Sequence, residues 1–219
     1  MTLVAPEEGR AGDIWRVEGK DHEMVIDRMT KYTVTLNSVS QPQESGWGFD
    51  LGKWNDVIYR IREDLTDVAG GDVVHLYVPA TELYLVKVYI DPQWPLLSGW
   101  FGFQTGRRPE PDTDDEGLFF HPSADENLAV ERLFRPFAIL EPSMSIIDAE
   151  GRAWTFEAPL HFVDQSSERG IPLWPLTIPD DPDRTVELNL TSYAEQMSEW
   201  TRHSGVDASV FDQDPASED

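Results

Sequence analysis

Residues 83–90 read Leu-Tyr-Leu-Val-Lys-Val-Tyr-Ile. In an extended chain Leu83, Leu85, Lys87 and Tyr89 point one way, and Tyr84, Val86, Val88 and Ile90 point the other. Both sets are largely apolar, so the segment predicts a central strand buried on two faces. The surrounding sequence supplies partners for it. Residues 72–78 (DVVHLYV) form a second strand by their β-branched and aromatic content, and Pro79-Ala80-Thr81-Glu82 reads as a hairpin loop between the two. Upstream, 12–17 (GDIWRV), 23–27 (EMVID) and 31–37 (KYTVTLN) read as three short strands joined by turn-length segments, the start of a meander or half-barrel.

Further along, 143–159 predicts a hairpin turning at Asp148-Ala149-Glu150-Gly151, and 160–165 extends its sheet. Residues 171–184 hold four prolines in fourteen residues, which bars a central strand and predicts an extended arm. Residues 185–190 (TVELNL) read as another strand. Three helices are expected. Leu51, Trp54, Ile58, Ile61 and Leu65 form one apolar stripe at helical spacing, with Asp50 as its cap. Ser123 and Glu126 have the spacing of a capping box ahead of a short helix running to Pro136, and Ser192 and Glu195 have it ahead of one over 191–203. With about eight to ten short strands and about three helices, the fold class is α+β, mostly antiparallel sheet. The expected organisation is a flexible leader over 1–11, a single α+β domain over 12–203 with a possible subdivision near 106–122, and an acidic mobile tail over 204–219.

Composition narrows function more than motifs do. Eight tryptophans, each able to bury roughly 200 Å², argue for a packed core rather than disorder. The absence of cysteine removes disulfides, thiolate nucleophiles, zinc–cysteine sites and iron–sulfur clusters. The first residues have no basic region or long apolar run of the secretory type, and no window approaches the ~18 apolar residues of a membrane span. The expectation is a soluble, cytoplasmic protein, or a virion component if phage-encoded. With 41 acidic against 17 basic residues the net charge is −24. That field repels nucleic-acid phosphates and anionic lipid heads, and attracts basic partners and divalent cations.

Searches for chemistry return little. There is no phosphate-binding glycine loop, no nucleophile elbow and no paired histidine spacing. Residues 112–117 (DTDDEG) come close to the opening of an EF-hand loop, with Asp112, Asp114 and Glu116 as candidate cation ligands. Ser123 stands where the late bidentate glutamate belongs. Residues 93–117 offer the most distinctive surface candidate. Trp94, Trp100, Phe101 and Phe103 surround two glycines and run into a carboxylate-rich loop, the anatomy of an aromatic anchor rimmed by charge. If these four form a binding patch they are exposed in the isolated chain. If they are core they are buried.

These features point to a non-catalytic acidic interaction protein, such as an assembly or virion component, an inhibitor or an immunity-type protein. It needs no cofactor, and it binds a basic partner or another copy of itself. Two alternatives carry distinct expectations. A mimic of nucleic acid needs a continuous carboxylate stripe, since a duplex carries roughly one charge per 1.7 Å. A cation-dependent hydrolase needs a pocket where several acids converge.

Overall fold

In the computed structural model the described residues are 4–39, 46–52, 57–94, 98–110, 117–122 and 128–212. They form strands β1 (Ile14–Met29), β2 (Thr33–Ser38), β3 (Trp47–Asp50), β4 (Arg60–Ile61), β5 (Val73–Tyr89), β6 (Gly99–Gln104), β7 (Leu118–Phe120) and β8 (Leu128–Phe134). These are followed by β9 (Ser145–Ile147), β10 (Ala153–Glu157), β11 (His161–Asp164) and β12 (Arg169–Gly170), then helices α1 (Pro182–Leu188) and α2 (Tyr193–Ser204). The first eight strands make one curled, half-barrel sheet in the order β3-β2-β1-β5-β6-β7, with β4 on β5 and β8 on β1. The next four make a second sheet, β12-β11-β10-β9. Among the described residues no helix is long and apolar enough to cross a membrane.

The large sheet is built on a ribbon of two long strands. β1 and β5 pair antiparallel from Ile14↔Tyr84 to Val25↔Val73. Each was expected as two short strands separated by a turn, and each is instead continuous and bent. From Val17 to Gly19 β1 advances two residues while β5 runs three, from Thr81 to Val78. From Gly19 to His22 β1 advances three while β5 runs two, to Leu76. One extra residue on each strand is a bulge, which bends the strand and flips which side chains face inward. The core records the flip: Trp15 and Val17 point inward before it on β1, Met24 and Ile26 after it; on β5 Val74, Leu76 and Val78 give way to Leu83 and Leu85. The residues read as turns (Glu18–Asp21 and Pro79–Glu82) are this bend. It also gives each long strand two successive neighbours: β1 takes β8 along 14–19 and β2 along 24–29, and β5 takes β4 at 76–77 and β6 along 83–89.

Two cores result. One fills the curl between Trp15, Ile26, Leu36, Leu76, Trp100 and Phe120. The other lies on the opposite face, where Ile14, Tyr84 and Phe103 meet Phe137, Phe156, Phe162 and Trp200 from the second sheet and α2. Leu83, Tyr84 and Leu85 are therefore buried on both faces, whereas the rest of the 83–90 segment, expected to be buried as well, is half-buried or exposed.

The N-terminal segment stitches the two cores together. Trp100 Nε1 donates to the Pro6 carbonyl at 2.6 Å and Trp200 Nε1 donates to the Gly12 carbonyl at 2.8 Å. Asp13 is fully buried. It accepts Arg135 Nε at 2.8 Å, Arg135 Nη2 at 2.6 Å and the Arg10 amide at 2.9 Å. Pro6–Glu8, within the segment expected as a leader, is a short 3-10 turn with Pro6 buried.

Three further expectations are corrected. No α-helix forms in the described part of 51–65: Leu51 and Gly52 are in 3-10 conformation, with the Gly52 amide donating to Asp50 Oδ1, Val57 bridges Phe119, and Arg60–Ile61 is β4. Ile58 and the adjacent Tyr59 are both buried against the first core, and pairing with β5 overrides the apolar stripe. Leu128–Phe134 is a strand rather than a helix, because β1 offers it an antiparallel edge along 14–19. Ser123 and Glu126 lie outside the described residues. Residues 185–188, expected as strand, belong to α1: Asp181 caps it through its carboxylate to the Arg184 amide at 3.0 Å, and Pro182 opens it. By contrast β2, the β9–β10 hairpin, β11 and α2 with its Ser192–Glu195 capping box stand as expected. Past α2, within the expected tail, Val206 is buried and the 3-10 turn Ala208–Phe211 sets the Phe211 ring 5.3 Å from Trp200.

Candidate functional site: the aromatic end of the β5–β6 hairpin

Pairing of β5 with β6 and β6 with β7 sorts the four sequence-selected aromatics by parity. Trp100 faces the curl and is fully buried, 4.7 Å from the Trp15 ring and 5.5 Å from Phe120. Phe101 and Phe103 face the other way. Phe103 is covered by the second layer and stacks on Tyr84 at 5.9 Å. Phe101 lies two residues beyond it and is only half-buried. Trp94, in the connection between the two strands, is 65% exposed. The four therefore do not form one patch: Trp100 and Phe103 belong to separate cores, and Phe101 and Trp94 are at the surface.

Three residues not singled out in the sequence join the surface pair. Phe101 lies between Lys87 on β5 and Phe119 on β7. The Phe119 ring is 4.9 Å from that of Phe101, and Lys87 Nζ stands 5.2 Å over the Phe101 centroid. Next along the strand, Tyr89 pairs with Gly99, and the Phe119 ring lies so close over Gly99 that a Cβ there would collide with it. Glycine at 99 is what lets that ring lie across the face. Tyr89, Ile90 and Phe119 are each more than a third exposed. Alternation over 83–90 placed Lys87 and Tyr89 on the side of Leu83 and Leu85, but a register shift between Leu85 and Lys87 turns them to the opposite face, beside Phe101; the contribution of β7 is non-local.

Asp91 holds the turn that carries Trp94. Its Oδ1 accepts the amides of Gln93 and Trp94, both at 2.8 Å, and its Oδ2 accepts the Tyr89 hydroxyl at 3.2 Å. The Trp94 amide first, then that of Gln93, hold this carboxyl below the ordinary aspartate range, and the hydrogen bond to Asp91 raises the Tyr89 hydroxyl. The connection is thereby ordered at its start while its tryptophan stays in solvent.

A recess of about 180 Å³ lies elsewhere, lined by His161, Tyr193, Asp207 and Asp212 among others. Burial, reinforced by Arg169, holds His161 below the ordinary histidine range although Asp212 stands 3.6 Å from its Nε2. On the large sheet His75 is raised instead, through its 2.7 Å contact with Glu63. Among the described residues no group of three His, Asp or Glu side chains is placed to hold a metal ion. The sequence-selected Asp112, Asp114 and Glu116 lie outside the described residues. Compared with models of protein families, with curated proteins and with solved structures, the chain matches none.

Proposed function

We propose that this chain is a non-catalytic interaction protein that binds a basic protein partner through the aromatic end of the β5–β6 hairpin. The observation that carries the reading is the continuity of Tyr89, Phe101 and Phe119 across three paired strands, with Ile90 and Trp94 exposed just beyond them. Scattered single apolar residues are ordinary on a surface, but a run of aromatics tied together by register is the composition of an interface core. The charge favours a basic partner over a second copy. A chain of net charge −24 repels itself at low salt and steers cations towards it, raising association rates more than affinity.

The test uses a defined amphipathic peptide of lysine and leucine as a stand-in for a basic partner. Sedimentation follows binding at low salt and at about 0.5 M salt, where charges more than a few ångströms apart are screened. The expected result is a complex that salt weakens and that the variant Trp94→Ala/Phe119→Ser loses by about tenfold or more, the scale of an aromatic hot spot. Equal binding by the variant overturns the assignment of the surface. A salt-induced dimer of the chain alone, abolished by the same variant, overturns the basic partner and makes the face a self-interface.

A further inference from the structure

The start of the β5–β6 connection sets one carboxylate among exposed rings. Asp91 Oδ1 accepts two amides, those of Gln93 and Trp94, and Oδ2 accepts the Tyr89 hydroxyl. The Asp91 amide in turn donates at 2.9 Å to Oγ of Ser98, which is buried, so the residue is held through backbone and side chain alike. A carboxylate has about four lone-pair sites. Among the described residues three of them are used, and one remains, on Oδ2.

The rings beside this carboxylate are unequal in what they already carry. Tyr89 is 42% exposed and reaches the carboxylate with its hydroxyl; Trp94 is 65% exposed and reaches it with its backbone. The same face seats a cation on a third ring, with Lys87 Nζ 5.2 Å over Phe101. That charge bars a second cation from Phe101. Among the described residues none stands over Trp94, although indole is the strongest cation acceptor of the aromatic side chains.

We infer that Trp94 and Asp91 form the seat for an arginine side chain of the basic partner, an inference that rests on the interaction function proposed above. The guanidinium stacks its face on the indole while one N–H at its edge donates to Asp91 Oδ2. Arginine suits both contacts at once, because its cation is planar and weakly hydrated. A lysine ammonium is compact and strongly hydrated, and gains less from the ring. The single site left on Oδ2 calls for one charge-assisted bond rather than a two-pronged pair. The net charge of −24 selects against an anionic occupant.

Two peptides test the seat by titration calorimetry on the full chain. One is the amphipathic peptide of lysine and leucine; the other has every lysine replaced by arginine, with equal length, charge and pattern. The arginine peptide is expected to bind about threefold tighter or more, the scale of an exposed cation–π contact. Trp94→Leu and Asp91→Asn are each expected to bring the two peptides level. Asp91→Asn keeps a carbonyl oxygen for the Gln93 and Trp94 amides, and so keeps the turn, while placing an amide nitrogen where Oδ2 accepts. Phe119→Ser is expected to weaken both peptides in the same proportion. Equal affinity of the two peptides for the native chain overturns the arginine seat, as does a preference that survives Trp94→Leu or Asp91→Asn. In either case, binding that Phe119→Ser weakens leaves the interaction reading standing. Failure of both peptides to bind overturns that reading and the seat together.

Discussion

Replacing Asp13 by alanine is expected to cost a large part of the stability of the chain. Asp13 is fully buried, and Arg135, whose side chain is 15% exposed, donates to it through two nitrogens. Removing the carboxylate strands a mostly buried guanidinium and leaves the Arg10 amide without its acceptor. Breaking one side of a buried ion pair costs about 3–5 kcal/mol. The lost amide contact adds about 1 kcal/mol, so the stranded charge dominates. Domain stabilities run from about 5 to 15 kcal/mol, and the change is a large fraction of that. The site also joins the two cores: the Leu85 amide donates to the Asp13 carbonyl at 2.9 Å, and the Gly12 amide donates to the Leu85 carbonyl at 2.8 Å. Urea unfolding followed by tryptophan fluorescence measures the loss as a shift in midpoint at constant slope. The double variant Asp13→Leu/Arg135→Met removes both charges and is expected to regain most of the stability. A loss under about 1 kcal/mol in Asp13→Ala, or a double variant no better than the single one, would refute the account of a buried pair bracing the N-terminal segment.

The same segment makes Gly9 intolerant of a side chain. A Cβ there would fall inside the Trp100 indole, so Gly9→Ala is expected to cost about 1–3 kcal/mol and to red-shift the fluorescence as Trp100 loses the Pro6 carbonyl. At Asp148, burial alone would raise the carboxyl, but hydrogen bonds from Trp154 Nε1 and the amides of Arg152 and Glu150 outweigh it and hold it low. Its contribution is therefore present above the ordinary aspartate pKa of about 3.9 and lost as pH falls through the folded value, and Asp148→Asn is expected to flatten acid unfolding in that range. The two shifted histidines act in opposite directions. His161 is held low by burial, so the unfolded chain takes the proton first and stability drops as pH falls below about 6.5; His161→Asn removes that slope. His75 is raised by Glu63, so its contribution is full below about 6.5 and lost as pH rises through the folded value, which an NMR titration of His75 against Glu63→Gln checks.

Local signals in the sequence carried the elements that depend on local chemistry. The Ser192–Glu195 box opens α2 and Asp148–Gly151 turns the β9–β10 hairpin, each within a few residues of itself. Where a strand bends rather than turns, the local signal is ambiguous. Pro79 and the Glu18–Asp21 run suit a hairpin loop as well as a bulge, and which one forms is decided by a partner strand some sixty residues away, as Gly19↔Val78 shows. The missed helix α1 has the same moral in reverse. Val186 and Leu190 favour a strand by type, but Asp181 and Pro182 ahead of them are a helix start, and Asn189 ties the helix end to Leu176 through two side-chain hydrogen bonds.

Which of the aromatics in 93–103 reach the surface was not legible in the sequence, and the reason is geometric. Alternation alone separates Trp100 from Phe101 and Phe103, since neighbours in a strand face opposite ways. It cannot separate Phe101 from Phe103, which share a face. That distinction comes from where the second layer ends, and the layer is built from Phe137, Phe156 and Trp200, far along the chain. The indole nitrogens sharpen the same point. Trp100 and Trp200, each fully buried, place their Nε1 on backbone carbonyls of the N-terminal segment, so those tryptophans are committed to holding the two cores. Among the described residues Trp94 is the one exposed tryptophan, and Asp91 holds the turn that carries it. An indole kept in solvent on an ordered turn, beside a register-linked aromatic face, contributes nothing evident to the two cores. That is why the interaction reading rests on this end of the hairpin and not on the aromatic content as a whole.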